Sequence, residues 1–221
     1  MTSSDSSPTI TGLEKVPRKK EYLLRLSDGS TIRALEEHLP GFGLVEGSEV
    51  DWVTLREITA SYEYARAREA AMRLLKTRPR TEQELRRRFS RKGFAGKTCD
   101  RLIGDLKAEG LIDDRVFARL WIREKVARAQ SGRRRIISDL RAKGIEEAVV
   151  LEELRLNYDR DREAENARQV ALKRITKLRN PADGGSRQKT YSFLLRRGFG
   201  SDIAQQAVES AMNSPEVKGR Q

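Results

Sequence analysis

Cysteine occurs once in this chain, at Cys99, and histidine once, at His38. A single cysteine excludes an intramolecular disulfide and suits a reducing compartment. Its neighbours Leu102, Ile103 and Leu106 read as one helix face, so Cys99 is expected to be a buried packing residue. His38 has no cysteine or paired carboxylate around it at ligand spacing, which leaves neither a zinc site nor a nucleophile–base pair. Aromatic residues make up only 6% of the chain, so there are few rings on which bases could stack. No hydrophobic run approaches transmembrane length, and the Ser/Thr-rich start lacks the apolar stretch of a signal peptide. The expectation is a cytoplasmic protein with no membrane contact, no catalytic residues, no metal and no cofactor.

What the chain has in abundance is charge. Of its 221 residues 35% are charged against 37% hydrophobic, which is lean for one large core and fits several small helical cores on an elongated body. The net charge of +12 is unevenly placed. Residues 1–66 carry 8 Lys/Arg against 11 Asp/Glu, a balance of −3, and the remainder carries +15. A basic body points to a polyanion as partner, although an Arg-rich solvated helix surface would look the same.

A short pattern recurs three times: an apolar residue, then four positions later a glycine that follows a basic residue and precedes an apolar one. The copies are Phe89 with Lys92-Gly93-Phe94, Leu140 with Lys143-Gly144-Ile145, and Leu194 with Arg197-Gly198-Phe199. Their glycines lie 51 and 54 residues apart. Ten residues after each stands Ile103, Leu154 or Val208. A period of this size signals stacked structural repeats.

Each repeat reads as three helices. In the first, Ala67, Ala70, Ala71, Leu74 and Leu75 mark one helix, and Thr81 with Glu84 forms a capping box for the next. The third runs roughly over residues 97–109. In the second repeat, Phe117, Leu120, Trp121 and Ile122 form the apolar side of one helix. Ile136, Ile137 and Leu140 define the next, and Val149, Val150 and Leu154 the last. The third repeat has Val170, Leu172, Ile175 and Leu178, then Tyr191, Leu194 and Leu195, then Ile203, Ala207 and Val208. The predicted fold is mainly α: three tandem three-helix repeats with a small β-rich N-terminal subdomain. That subdomain rests on a strand–turn–strand over Tyr22–Leu26 and Ser30–Arg33. The predicted boundaries are a disordered tail 1–17, the β-rich unit 18–60, repeats 61–113, 114–158 and 159–213, and a flexible tail 214–221.

Two motifs carry other chemistry on their face. Gly96-Lys97-Thr98 ends like a phosphate-binding loop, but the glycine needed five positions earlier is Arg91, and a capped helix precedes it where a strand should stand. Asp113-Asp114 suits a helix N-terminus better than a metal, because no other ligand-type residues surround it.

The basic clusters are the stronger sign. At about 100° per residue, Arg87 and Arg91 point away from the Leu85/Phe89 face, with Arg86 beside them. Arg134, Arg135 and Arg141 lie off the Ile136/Leu140 face, and Arg196 and Arg197 off the Leu194/Leu195 face. Such side chains neutralise phosphates, with steep salt dependence, or meet an acidic protein surface. The three-helix units also look like helix-turn-helix modules, yet their basic helices lack a clear set of base readers, so any DNA binding is expected to be non-specific.

Several stretches together resemble the RecX family of RecA regulators. They are Gly110-Leu111-Ile112-Asp113-Asp114-Arg115-Val116-Phe117-Ala118-Arg119-Leu120-Trp121, Ser131-Gly132-Arg133-Arg134-Arg135-Ile136, Asp139-Leu140-Arg141-Ala142-Lys143-Gly144-Ile145 and Arg78-Pro79-Arg80-Thr81-Glu82-Gln83-Glu84-Leu85. The resemblance covers residues 61–158 well and the third repeat more loosely. It implies a curved, elongated, monomeric body that binds the RecA filament on single-stranded DNA. It also implies suppression of strand exchange, ATP hydrolysis and co-protease activity, and in many members direct binding of single- or double-stranded DNA. Arg86, Arg87, Arg91, Arg134, Arg135, Arg141, Arg196 and Arg197 are the expected RecA- or DNA-binding candidates. The alternative is a stand-alone basic DNA-binding module without RecA contact.

Overall fold

The computed structural model describes residues 7–129, 131–181 and 183–218. They fall into two compact units, one of the residues up to 78 with 86–109 and the other of residues 79–85 with those from 110 on.

The first unit begins with an antiparallel sheet of β1 (Ile10–Lys15), β2 (Glu21–Leu26) and β3 (Thr31–Leu35), in that order. The β2–β3 hairpin pairs Leu24 with Ile32 and Leu23 with Arg33, as its alternation demands. After a short turn of helix, α1 (His38–Gly41), comes the long α2 (Trp52–Thr77), whose amides at Val53 and Thr54 donate to Asp51. Ile10, Leu24, Leu26 and Ala34 of the sheet pack with Leu55 and Ile58 of α2 in one small core. His38 is buried there as a tie: its Nδ1 accepts from Leu35 N–H, and its Nε2 sits 2.8 Å from Ser61 Oγ. Burial pushes its pKa down. Next come α3 (Glu82–Arg91), whose first turn belongs to the second unit, and α4 (Gly96–Ala108).

The second unit holds α5 (Asp114–Ala127), α6 (Arg133–Ala142) and α7 (Glu147–Asn157), followed by α8 (Arg160–Ile175), α9 (Gly184–Arg196), α10 (Ser201–Met212) and the short α11 (Pro215–Lys218). Asp113 and Asp159 cap α5 and α8 as Asp51 caps α2. Three aspartates thus start the first helix of each repeat, each giving free amides an acceptor at the positive end of the dipole. Phe117, Ile122, Ile136, Leu140, Val150 and Leu154 form one core, and Ala171, Ile175, Leu194, Phe199, Ala207 and Val208 another.

The recurrent glycines are helix stops. Gly93, Gly144 and Gly198 have φ of 78°, 82° and 85°, the left-handed region that a Cβ disfavours. Each helix end is closed by the same two bonds. The glycine N–H donates three residues back, and the next residue donates five back, as Phe94 to Phe89, Ile145 to Leu140 and Phe199 to Leu194. Ile103, Leu154 and Val208 are all buried, so the shared ten-residue offset is a shared core position.

Several sequence expectations need correction. Residues 10–15 are a paired strand and not part of a disordered tail; the Ser/Thr/Pro-rich start masks a strand whose partner, β2, lies beyond a turn. Residues 1–6 lie outside the described residues. No break falls at residue 60, because α2 runs through it. At the other end, α11 buries Val217 against the α8–α10 core where a flexible tail was expected, and residues 219–221 lie outside the described residues. Leu120 and Leu195 are exposed at 50% and 38%, since the faces their helices bury are narrower than the apolar pattern suggested.

Candidate functional site

The start of α6 has amides that need acceptors. Gly132 N–H donates to the Arg197 carbonyl at 3.0 Å, and Arg134 N–H to the Gly198 carbonyl at 3.1 Å. Arg133 N–H donates to the buried Glu163 carboxylate at 2.8 Å. The stop of α9 therefore caps the start of α6. A related joint lies at the other end of α6, where the Thr81 hydroxyl donates to the Lys143 carbonyl at 2.8 Å and Lys143 Nζ pairs with Glu84 at 2.9 Å.

These joints decide which candidate cations meet. Arg134 and Arg135 at the start of α6 stand beside Arg196 and Arg197 at the end of α9. Arg141, seven residues along α6, is about 10 Å away. In the first unit Arg86 pairs with Asp100, whereas Arg87 and Arg91 are exposed and have no carboxylate partner among the described residues. Arg135 pairs with Asp139 at 2.9 Å and Arg141 with Glu147 at 3.0 Å. Arg197 lies over the Phe193 ring, 5.1 Å from its centre. Arg134 and Arg196 are exposed without an ion pair among the described residues. Arg88 and Lys92, missed in the sequence reading, are also exposed beside Arg87 and Arg91. Their signal was composition: the second half of α3 and the residue after it hold five cations, Arg86, Arg87, Arg88, Arg91 and Lys92.

The Gly-Lys-Thr stretch is filled from within. Glu63 of α2 accepts from Ala95 N–H at 2.6 Å and from the Thr98 hydroxyl at 2.7 Å, so a carboxylate stands where an anion would meet the start of α4. Asp113 and Asp114 divide their work between two helices. Asp113 caps α5, and Asp114 accepts from Glu82 N–H at the start of α3. Cys99 is buried, and desolvation raises its pKa, away from thiolate chemistry. Among the described residues no cluster of three His, Cys, Asp or Glu could hold a metal, and no helix is long and apolar enough to cross a membrane.

Family models assign the repeats one by one. Residues 67–106 match the first three-helix domain of RecX, 113–154 the second and 161–208 the third. A regulatory protein RecX of Amycolatopsis mediterranei (strain U-32) is 30% identical over 156 residues, spanning 71% of this chain and 89% of its own. Another from Clostridium botulinum (strain Alaska E43 / Type E3) is 30% identical over 207 residues, 92% of this chain and 96% of its own. The chain belongs to the RecX family. A crystal structure of regulatory protein RecX covers 91% of this chain and 99% of its own, with a TM-score of 0.69 at 25% identity. The RecX architecture of helical repeats behind a small sheet is thus present throughout, and the third repeat, loosest in sequence, is matched as well.

Proposed function

We propose that this RecX-family regulatory protein binds the RecA filament on single-stranded DNA and inhibits or modulates its recombinase, ATPase and co-protease activities. The observation that carries the reading is the set of exposed cations without carboxylate partners among the described residues, Arg87, Arg91, Arg134 and Arg196, placed on the second helix of each repeat. Repeated basic helices suit a partner that is itself repetitive and polyanionic, because weak contacts made in tandem add through effective concentration. ATP and its magnesium belong to RecA; this chain contributes contacts and charge, as a monomer in the cytoplasm.

A second reading, a stand-alone and non-specific binder of single- or double-stranded DNA, draws on the same cations. RecA ATPase on single-stranded DNA separates the two. Inhibition at well below one chain per RecA, unrelieved by added free DNA, is the result expected for filament binding. Complete relief by free DNA would reduce the effect to competition for DNA.

A further inference from the structure

The second unit contains a cleft of about 290 Å³ between the end of α5, the last two turns of α8 and the end of α9. Five cations line it: Arg128, Lys173, Arg174, Lys177 and Arg197. No carboxylate lines it among the described residues, and Glu124, 3.1 Å from Arg128, pairs with one of the lining cations from outside the cleft. Only Arg197 belongs to the candidates picked from the sequence.

Positions 173, 174 and 177 fall on one face at helical spacing, and Phe193 and Arg197 are likewise one turn apart. The Phe193 ring meets a cation from each helix: the Arg174 and Arg197 guanidinium carbons are 5.2 and 5.1 Å from its centre. Stacking on a ring fixes the plane of a guanidinium and leaves its edge for acceptors. Cations in the last turn of α8 also complement the helix dipole. The dipole does not explain why cations from three helix ends converge on one opening. Nor does it explain Arg174 Nε, which is buried with no hydrogen-bond acceptor among the described residues. A buried donor of a charged group is costly to leave unsatisfied, and Arg174 lines the cleft, where an anion would meet the rest of its guanidinium.

We propose that this cleft binds an anion carrying at least two adjoining phosphate groups. Lys173, in the last turn of α8, and Lys177, just beyond its end, bring two ammonium groups to the cleft, enough to meet two adjoining phosphates. Arg174 donates between them. The phosphates belong either to a nucleic-acid strand or to a free polyphosphate such as that of a nucleotide.

The full chain, without RecA, is titrated calorimetrically with sodium tripolyphosphate, and a labelled oligothymidylate is followed by fluorescence anisotropy at fixed salt. Arg174→Leu and the double variant Lys173→Gln/Lys177→Gln should each weaken tripolyphosphate about tenfold or more, with unchanged melting. The equal charge loss Lys97→Gln/Lys189→Gln should change it less than about twofold. If the cleft variants also release the oligothymidylate and tripolyphosphate displaces it, the ligand is a strand. Loss of tripolyphosphate alone makes it a free polyphosphate. No binding of tripolyphosphate by the unaltered chain overturns the proposal, as do cleft variants that behave like the Lys97/Lys189 pair. Should Arg174→Leu fail to fold, the lysine pair still decides. Because RecA is absent, this outcome and that of the filament test are independent.

Discussion

Gly132 and Gly198 meet backbone to backbone. A Cβ on Gly132 would collide with the Gly198 carbonyl, and a Cβ on Gly198 with the backbone N of Arg135. Gly93, the same repeat position, has nothing within 4 Å of where its Cβ would be, and Gly144 has the Cβ and amide carbon of Gln83 at 2.5 Å. Equivalent glycines should therefore differ. Gly93→Ala is expected to cost about 1–2 kcal/mol for its left-handed backbone alone. Gly198→Ala should cost clearly more, about 3 kcal/mol or above, since a backbone clash is added. Gly144→Ala should fall between. Equal losses in chemical denaturation of all three would show that the joint does not constrain position 198.

Leu140 is fully buried while Leu120, also apolar and in the same repeat, is half exposed. Leu140→Ala should destabilise by about 2–5 kcal/mol, and Leu120→Ala by about 0.5 kcal/mol or less. Denaturant midpoints at constant slope measure both.

Glu153 is fully buried in α7 and accepts from Arg119 Nε at 3.0 Å and Nη2 at 3.2 Å. The Arg119 hydrogen bond, opposed by desolvation, holds its pKa below the ordinary 4.5. A depressed carboxyl adds stability above its unfolded pKa, and that stability is lost as pH falls through the folded value. Glu153→Gln should therefore melt lower than the unaltered chain near neutral pH. The gap should narrow from about pH 4.5 downward. A gap that is constant across that range would assign Glu153 a packing role only.

Glu63 closes the start of α4. Glu63→Ala should cost about 0.5–2 kcal/mol as a lost cap. It should not produce ATP hydrolysis. Turnover in that variant would mean that the Gly-Lys-Thr stretch is a nucleotide loop held shut.

Arg87→Glu with Arg91→Glu, and separately Arg134→Glu with Arg196→Glu, should weaken binding to RecA-coated single-stranded DNA while melting stays within about 0.5 kcal/mol of the unaltered chain. Unchanged binding in both pairs would leave these side chains as solvated surface.

The helical repeats were legible because their signals are local. A left-handed glycine, an apolar residue four before it and another ten after it can be seen in one dimension, and all three copies hold. Thr81 as a cap was legible for the same reason, and Glu84 N–H does donate to its hydroxyl at 3.2 Å. What escaped depends on contacts distant in sequence. Strand β1 needs β2, Glu63 reaches α4 over 32 residues, and Asp114 serves a helix that begins 32 residues before it. Among the basic candidates, exposure followed from the helical pattern, but pairing did not. Arg135 and Arg141 have acidic neighbours four and six residues on, which the pattern alone could not distinguish from open surface. The cleft beneath Phe193 was invisible because its cations come from three separate helix ends.

The joint between α9 and α6 has a polarity. A stop offers carbonyls and a start offers amides, so the end of one repeat's middle helix can receive only the beginning of another's. In this chain the receiving repeat is always the later one: Lys143 receives Thr81, and Arg197 and Gly198 receive Gly132 and Arg134. At the α9–α6 joint that polarity is carried by main-chain groups, out of reach of side-chain drift, whereas the joint at Lys143 depends on the Thr81 hydroxyl. The surface residues around the α9–α6 joint could change widely while these two main-chain bonds, and the pairing they enforce, remain.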